Sequence, residues 1–260
     1  MIEKILHQLA QAEHFPKTVF YNENWLLRIV LSWFSDHRDV PHPLQFHAAS
    51  TWYSEALIPS RFLPRFKGDT LAEGHTHADG IIGQVSITDS SEFMAGIPKD
   101  ITQLIVTEGK LGSRLAAGTT HVRWFDQAVR NVAALIYLVS ENLDAPDNLS
   151  SFAFYVLAPE ERIQQEATFT TYMERGSIRE KIVRRIDLYK DEADYQNLQE
   201  WYETWGIPLL ERMDISLISW ESILTVISQH DPSFGTELQD YYSTCLHYNL
   251  VHKGGFSSYS

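Results

Sequence analysis

Apolar side chains recur along this chain with more than one period, and the changes between periods mark its elements. In residues 21–35 (YNENWLLRIVLSWFS), Trp25, Leu26, Ile29, Val30 and Trp33 fall at helical spacing behind Asn22, which suits an N-cap, so a helix is predicted there. Residues 44–57 fit a strand and a short helix equally well. Residues 59–74 carry Pro, Gly and the basic trio Arg61, Arg65 and Lys67, and predict a loop. Apolar runs near 78–88 and 102–110 predict two strands, joined by a turn-rich segment with Asp89, Ser90, Ser91 and Gly96-Ile97-Pro98. Residues 112–120 form a small-residue loop. Residues 124–142 give the clearest helix, with Phe125, Ala128, Val129, Val132, Leu135, Ile136 and Val139 on one side. Residues 151–157 (SFAFYVL) predict a further strand, closed by Ala158-Pro159.

Beyond Pro159 the pattern turns helical. Segments near 160–175, 177–190, 193–204, 219–229 and 236–249 are predicted to fill 160–250 with helix alone, broken at Pro208 and Asp231-Pro232. No flexible linker separates the halves, so a core of residues 1–159 is expected to carry residues 160–260 packed against it as a helical extension. The first fifteen residues, MIEKILHQLAQAEHF, read as an amphipathic helix rather than a signal peptide. The tail KGGFSSYS reads as disordered.

Composition narrows the function. With 44% hydrophobic and 21% charged residues the chain is that of an ordinary globular protein. No apolar stretch approaches the roughly 20 residues of a membrane span, so no membrane partner is expected. The single Cys245 can form no internal disulfide; it fits a reducing cytoplasm and a core position. A formal net charge of −13 counts against a wide grip on nucleic acid, unless positive charge is local or a partner subunit delivers the substrate. Phosphate-binding loops of the G-x-x-x-x-G-K-[ST] kind, G-x-G-x-x-G, G-x-S-x-G and paired CxxC motifs are all missing, so the chain has no recognisable ATP motor.

One constellation carries chemistry. The apolar run Leu104-Ile105-Val106 ends in Glu108-Gly109-Lys110, and residues two apart on a strand share a face. Asp79 opens the run 81–87, which can lie alongside. Two carboxylates around a hard divalent cation, with an ammonium beside them, suit phosphodiester hydrolysis.

Asp79 followed by Glu108-x-Lys110 on the next strand resembles the PD-(D/E)XK phosphodiesterase superfamily, the restriction-endonuclease-like fold, over residues 22–158. Ala78 stands where the family motif has proline. The resemblance implies an α/β core with a central mixed sheet flanked by helices, in the order helix, three strands, helix, strand. It implies Mg²⁺ or Mn²⁺ held by Asp79, Glu108 and the carbonyl of Gly109, with Glu23 on the first helix or Glu55 assisting. Lys110 would serve the attacking water, and Gln127 on the following helix would face the site. Nucleic acid, DNA before RNA, is the implied substrate, in prokaryotic defence or DNA processing, by a cytoplasmic protein acting as a homodimer or with a partner subunit. His77, Arg114, Arg123, Arg130, Arg184 and Arg185 are candidate phosphate contacts, and Arg114, His121 and Arg123 flank the loop after Lys110. The even alternative for the basic helix after Gly176 is a solvated face paired with Glu174, Glu180 and Asp187.

Two other readings remain. A nuclease-like subunit without catalysis would fit the acidic charge. A small-substrate hydrolase built on His75-x-His77 would retain Zn²⁺ or Mn²⁺, but residues 68–74 cannot supply the buried strand that normally precedes such a motif.

Overall fold

In the computed structural model, which describes residues 17–87, 94–118, 122–145 and 149–254, the chain is laid down as sequence patterning dictates. The expected helix at 1–15, the turn residues Asp89, Ser90 and Ser91, His121, and residues 255–260 of the tail lie outside the described residues.

Helix α1 spans Glu23–Asp36. The Asn22 side chain accepts a hydrogen bond from the Trp25 N–H at 3.0 Å, a cap that contributes about 1 kcal/mol. Leu26, Leu27, Val30, Leu31 and Phe34 are wholly buried against the sheet, each stabilising the packing by roughly 1.5–3 kcal/mol. The undecided segment 44–57 resolves as an irregular stretch followed by strand β1, Thr51–Ile58, where aromatic and β-branched residues pair with β2, Thr76–Gly83. A short ribbon, β3 (Ser86–Ile87) with β4 (Ala95–Gly96), leads to β5, Gln103–Gly109. Helix α2, Gln127–Asn142, crosses to β6, Ser151–Ala158.

The sheet has the order β1-β2-β5-β6-β7, antiparallel from β1 to β5 and parallel from β5 to β7. Its last strand corrects an expectation. Residues 160–250 are not entirely helical, because β7, Asp214–Ser219, follows α3 (Glu160–Gln165), α4 (Ala167–Met173), α5 (Arg175–Asp187), α6 (Tyr195–Trp201) and α7 (Ile207–Arg212). It pairs with β6 over Ala153–Ala158, so the segment after residue 159 completes the sheet as well as covering it. Six residues between two helices give too short a window for a period-2 signal to stand out. Helices α8 (Trp220–His230) and α9 (Pro232–Gly254) follow.

Two apolar layers sandwich this α/β sheet. One lies under α2, α4, α5, α6 and α7, and the other under α1, α8 and α9. Strand β5 is buried along its whole length, with Leu104 and Val106 facing the α2 layer and Ile105 the α1 layer. Such burial on both faces explains its continuous apolar run. Among the described residues no helix is long and apolar enough to cross a membrane.

Candidate functional site

Strand register brings the carboxylates together. Gly80 pairs with Thr107 and Ile81 with Val106, so one step further Asp79 falls opposite Glu108. The close approach depends on Gly80. A Cβ there would sit 2.5 Å from Thr107 Oγ1 and 2.8 Å from Leu31 Cδ1, so any larger residue would push β5 and α1 off β2. The Thr107 hydroxyl donates to the Gly80 carbonyl at 3.2 Å and ties the strands beside the site.

Four expected residues converge. Glu108 is 1% exposed; its Oε1 accepts from Lys110 Nζ and from Gln127 Nε2, both at 2.6 Å. Asp79 Oδ2 accepts from the Gly109 N–H at 2.9 Å. Glu108 Oε2 is buried with no hydrogen-bond donor. Burial pushes the Glu108 carboxyl up to about 8; the charge of Asp79 and a hydrogen bond with it add to the rise, while the Lys110 ammonium opposes it. Desolvation outweighs a 2.6 Å ion pair here because water is excluded from nearly the whole group.

Each of these side chains is held from elsewhere. Gln127 is the first residue of α2. Its N–H donates to the Ala116 carbonyl, and its Oε1 accepts from the Ala116 N–H, leaving Nε2 for Glu108. Asp126, one residue earlier, caps the helix by accepting from the Ala128 and Val129 N–H groups and pairs with Lys181 at 2.6 Å. The Lys110 main chain is fixed on both sides: its N–H donates to Leu157, and its carbonyl accepts from Trp220 Nε1 at 2.9 Å. Ala116 and Trp220 gave no local signal in the sequence; Trp220 reaches Lys110 across 110 positions of chain.

The two competing glutamates occupy different places. Glu23 lies against Gly109, whose added Cβ would meet Glu23 Cβ and carbonyl oxygen at 3.5 Å. Glu55 falls opposite Asp79 in the β1–β2 register, between the pairs Ser54–Gly80 and Ala56–Ala78, but is itself unmatched. Its φ of 57° is left-handed, a conformation that costs a non-glycine residue about 1–3 kcal/mol. The alternation of β1 slips there: Tyr53, Ala56 and Ile58 all pack on the α2 layer. Glu55 turns instead to α1, where Asn24 donates to it at 2.8 Å and Arg28 pairs with it at 3.7 Å.

The expected phosphate contacts do not form one surface. His77 and Arg123 are exposed. Arg114 pairs with Glu166 at 3.3 Å, Arg130 with buried Glu73 at 3.3 Å, and Arg184 lies 4.2 Å over the Trp124 ring. Arg185 is wholly buried, donating to the Leu71 carbonyl amid the rings of Phe62, Phe125 and Tyr189, so it is removed from any surface a backbone could follow.

The carboxylate pair offers a hard divalent cation only oxygen donors. Glu108 Oε2 is an acceptor left without a proton donor. Among the described residues no group of three or more His, Cys, Asp or Glu side chains gathers where it could hold a metal ion. No protein-family model, curated protein or solved structure matches the chain.

Proposed function

We propose that the chain is a metal-dependent nuclease with a restriction-endonuclease-like core, hydrolysing phosphodiester bonds of nucleic acid, DNA before RNA. The observation that carries this reading is the gathering of Asp79, Lys110 and Gln127 beside Glu108, whose Oε1 accepts from Lys110 and Gln127 while its Oε2 is buried without a donor. The order α1, β1, β2, β5, α2, β6, with β5 and β6 parallel, supports the fold part of the reading.

Asp79 and Glu108 would hold Mg²⁺ or Mn²⁺, with Glu23, whose backbone and Cβ lie against Gly109, or Glu55 assisting. When bound, the ion would lower the pKa of a coordinated water and neutralise charge on the phosphate. Lys110 supplies an ammonium beside the carboxylates, able to orient a water and to stabilise negative charge on the phosphoryl oxygens. Gln127 fixes Glu108 Oε1 through a neutral amide and so adds no charge of its own to the pair. The layers around β5 exclude bulk water from Glu108 and strengthen each of these interactions.

The test is cleavage of circular and linear DNA and of RNA with Mg²⁺ or Mn²⁺, beside Lys110→Ala shown by circular dichroism to be folded. Cleavage lost in EDTA and in the variant is the expected result. Equal inertness of both proteins on every substrate would turn the reading to a catalytically silent binding subunit, which the net charge of −13 favours. Cleavage that survives Lys110→Ala would place the chemistry elsewhere.

A further inference from the structure

A groove of about 540 Å³ opens on the outer side of α1, beside the edge strand β1. Trp25 and Trp33 from α1, Trp52 from β1 and Phe234 from α9 form its walls. Trp33 is 4% exposed and stacks on the His37 ring at 4.1 Å, yet its Nε1–H has no acceptor. That N–H is itself buried, so Trp33 gives the groove ring surface rather than a donor. Arg28 lines it as well: the guanidinium lies 5.0 Å over the Trp25 ring, donates to Ser54 at 2.8 Å and reaches Glu55 at 3.7 Å. Asp36, two turns further along α1, and Asp231 supply carboxylates. The groove is thus joined through Arg28 to the residue facing Asp79 across the β1–β2 register.

We propose that this groove binds an unpaired nucleobase of the substrate strand, an inference that takes the identity of the substrate from the nuclease reading. Flat apolar walls match the faces of a base, and every base offers such a face. Carboxylates match its ring and exocyclic N–H groups, and the guanidinium matches the adjoining phosphate. Exposed aliphatic side chains of a protein partner would leave the carboxylates of Asp36 and Asp231 unanswered. Placing the base here would hold the strand by one edge of the sheet, so an acidic protein could retain it without a broad basic surface.

The experiment uses the full chain in EDTA, where no cleavage occurs, with single-stranded DNA carrying one 2-aminopurine, whose fluorescence falls on stacking. Wild type is expected to bind and quench. Trp52→Ala and Trp25→Ala should weaken binding about tenfold or more and abolish the quench. Trp52→Phe, which keeps a ring, should restore most of both, and thermal melts identify any variant that has simply unfolded. Binding and quenching unchanged in folded Trp25→Ala and Trp52→Ala would overturn the proposal, as would wild type that binds no oligonucleotide. So would a dimer dissolved by Trp52→Ala with oligonucleotide binding intact, which would give the groove to a second copy. Cleavage in Mg²⁺ is read separately. Cutting without a groove-dependent quench removes the groove alone, whereas a groove-dependent quench without cutting of any substrate supports the groove and removes the hydrolysis.

Discussion

Glu108 makes stability depend on pH in a direction opposite to that of most paired carboxylates. Its folded value, about 8, lies above the ordinary 4.5, so between these limits the folded protein holds a proton that the unfolded chain releases. Stability from this group is therefore fully present at low pH and is lost as pH rises through the window, by about 1.4 kcal/mol per unit for one proton. Glu108→Gln keeps an amide oxygen for Lys110 and Gln127 and removes the titration. Across pH 5.5 to 7.5 the wild type should lose about 3 kcal/mol relative to the variant. Glu73, also raised by burial, shifts both proteins alike and cancels in the difference. Urea unfolding in EDTA at several pH values measures the gap, and millimolar Mg²⁺ should narrow it at pH 7.5 for wild type only. A gap constant across the range would refute the claim that burial holds a proton on Glu108 in the folded protein.

Three further outcomes follow from the geometry. Gly80→Ala should destabilise the chain by about 1–3 kcal/mol in chemical unfolding and depress cleavage with it, because the new methyl collides with Thr107 and Leu31 between the two carboxylate strands. Glu55→Gly should leave the melting temperature unchanged or raise it, since relief of the left-handed backbone offsets the lost contacts with Asn24 and Arg28, whereas Glu55→Val should lower it; the reverse order would remove the strain argument. Arg185→Ala should cost about 3 kcal/mol or more and Arg184→Ala about 1 kcal/mol or less, measured in the same urea series, because one guanidinium is buried near Glu73 and the other rests on Trp124 at the surface.

The site was more legible than the surface around it. Asp79 and Glu108-x-Lys110 meet because strand register is a local rule carried by alternating residues, and Gln127 lies beside them because the helix expected at 124–142 begins at Gln127, capped by Asp126. Arg185 was read as a surface cation because it stands beside Arg184, yet Ile178, Ile182, Arg185 and Ile186 fall on one helical stripe and are all buried. Helical spacing could have found it; residue type misled. Strand β7 and the Trp220 contact had no comparable signal, because their partners lie tens of residues away and long-range pairing leaves no periodic mark.

The hydrogen bond from Trp220 to the Lys110 carbonyl also sets an order of events during synthesis. Residues 79–110 emerge from the ribosome well before residue 220, and at about 5–20 residues per second the intervening 110 positions take roughly 5–20 s to make. Through that interval β6 has no β7 and the Lys110 carbonyl has no indole to hold it. Strand β5 is therefore clamped late in translation, so a nascent chain carries Asp79, Glu108 and Lys110 before the indole that fixes the Lys110 carbonyl exists.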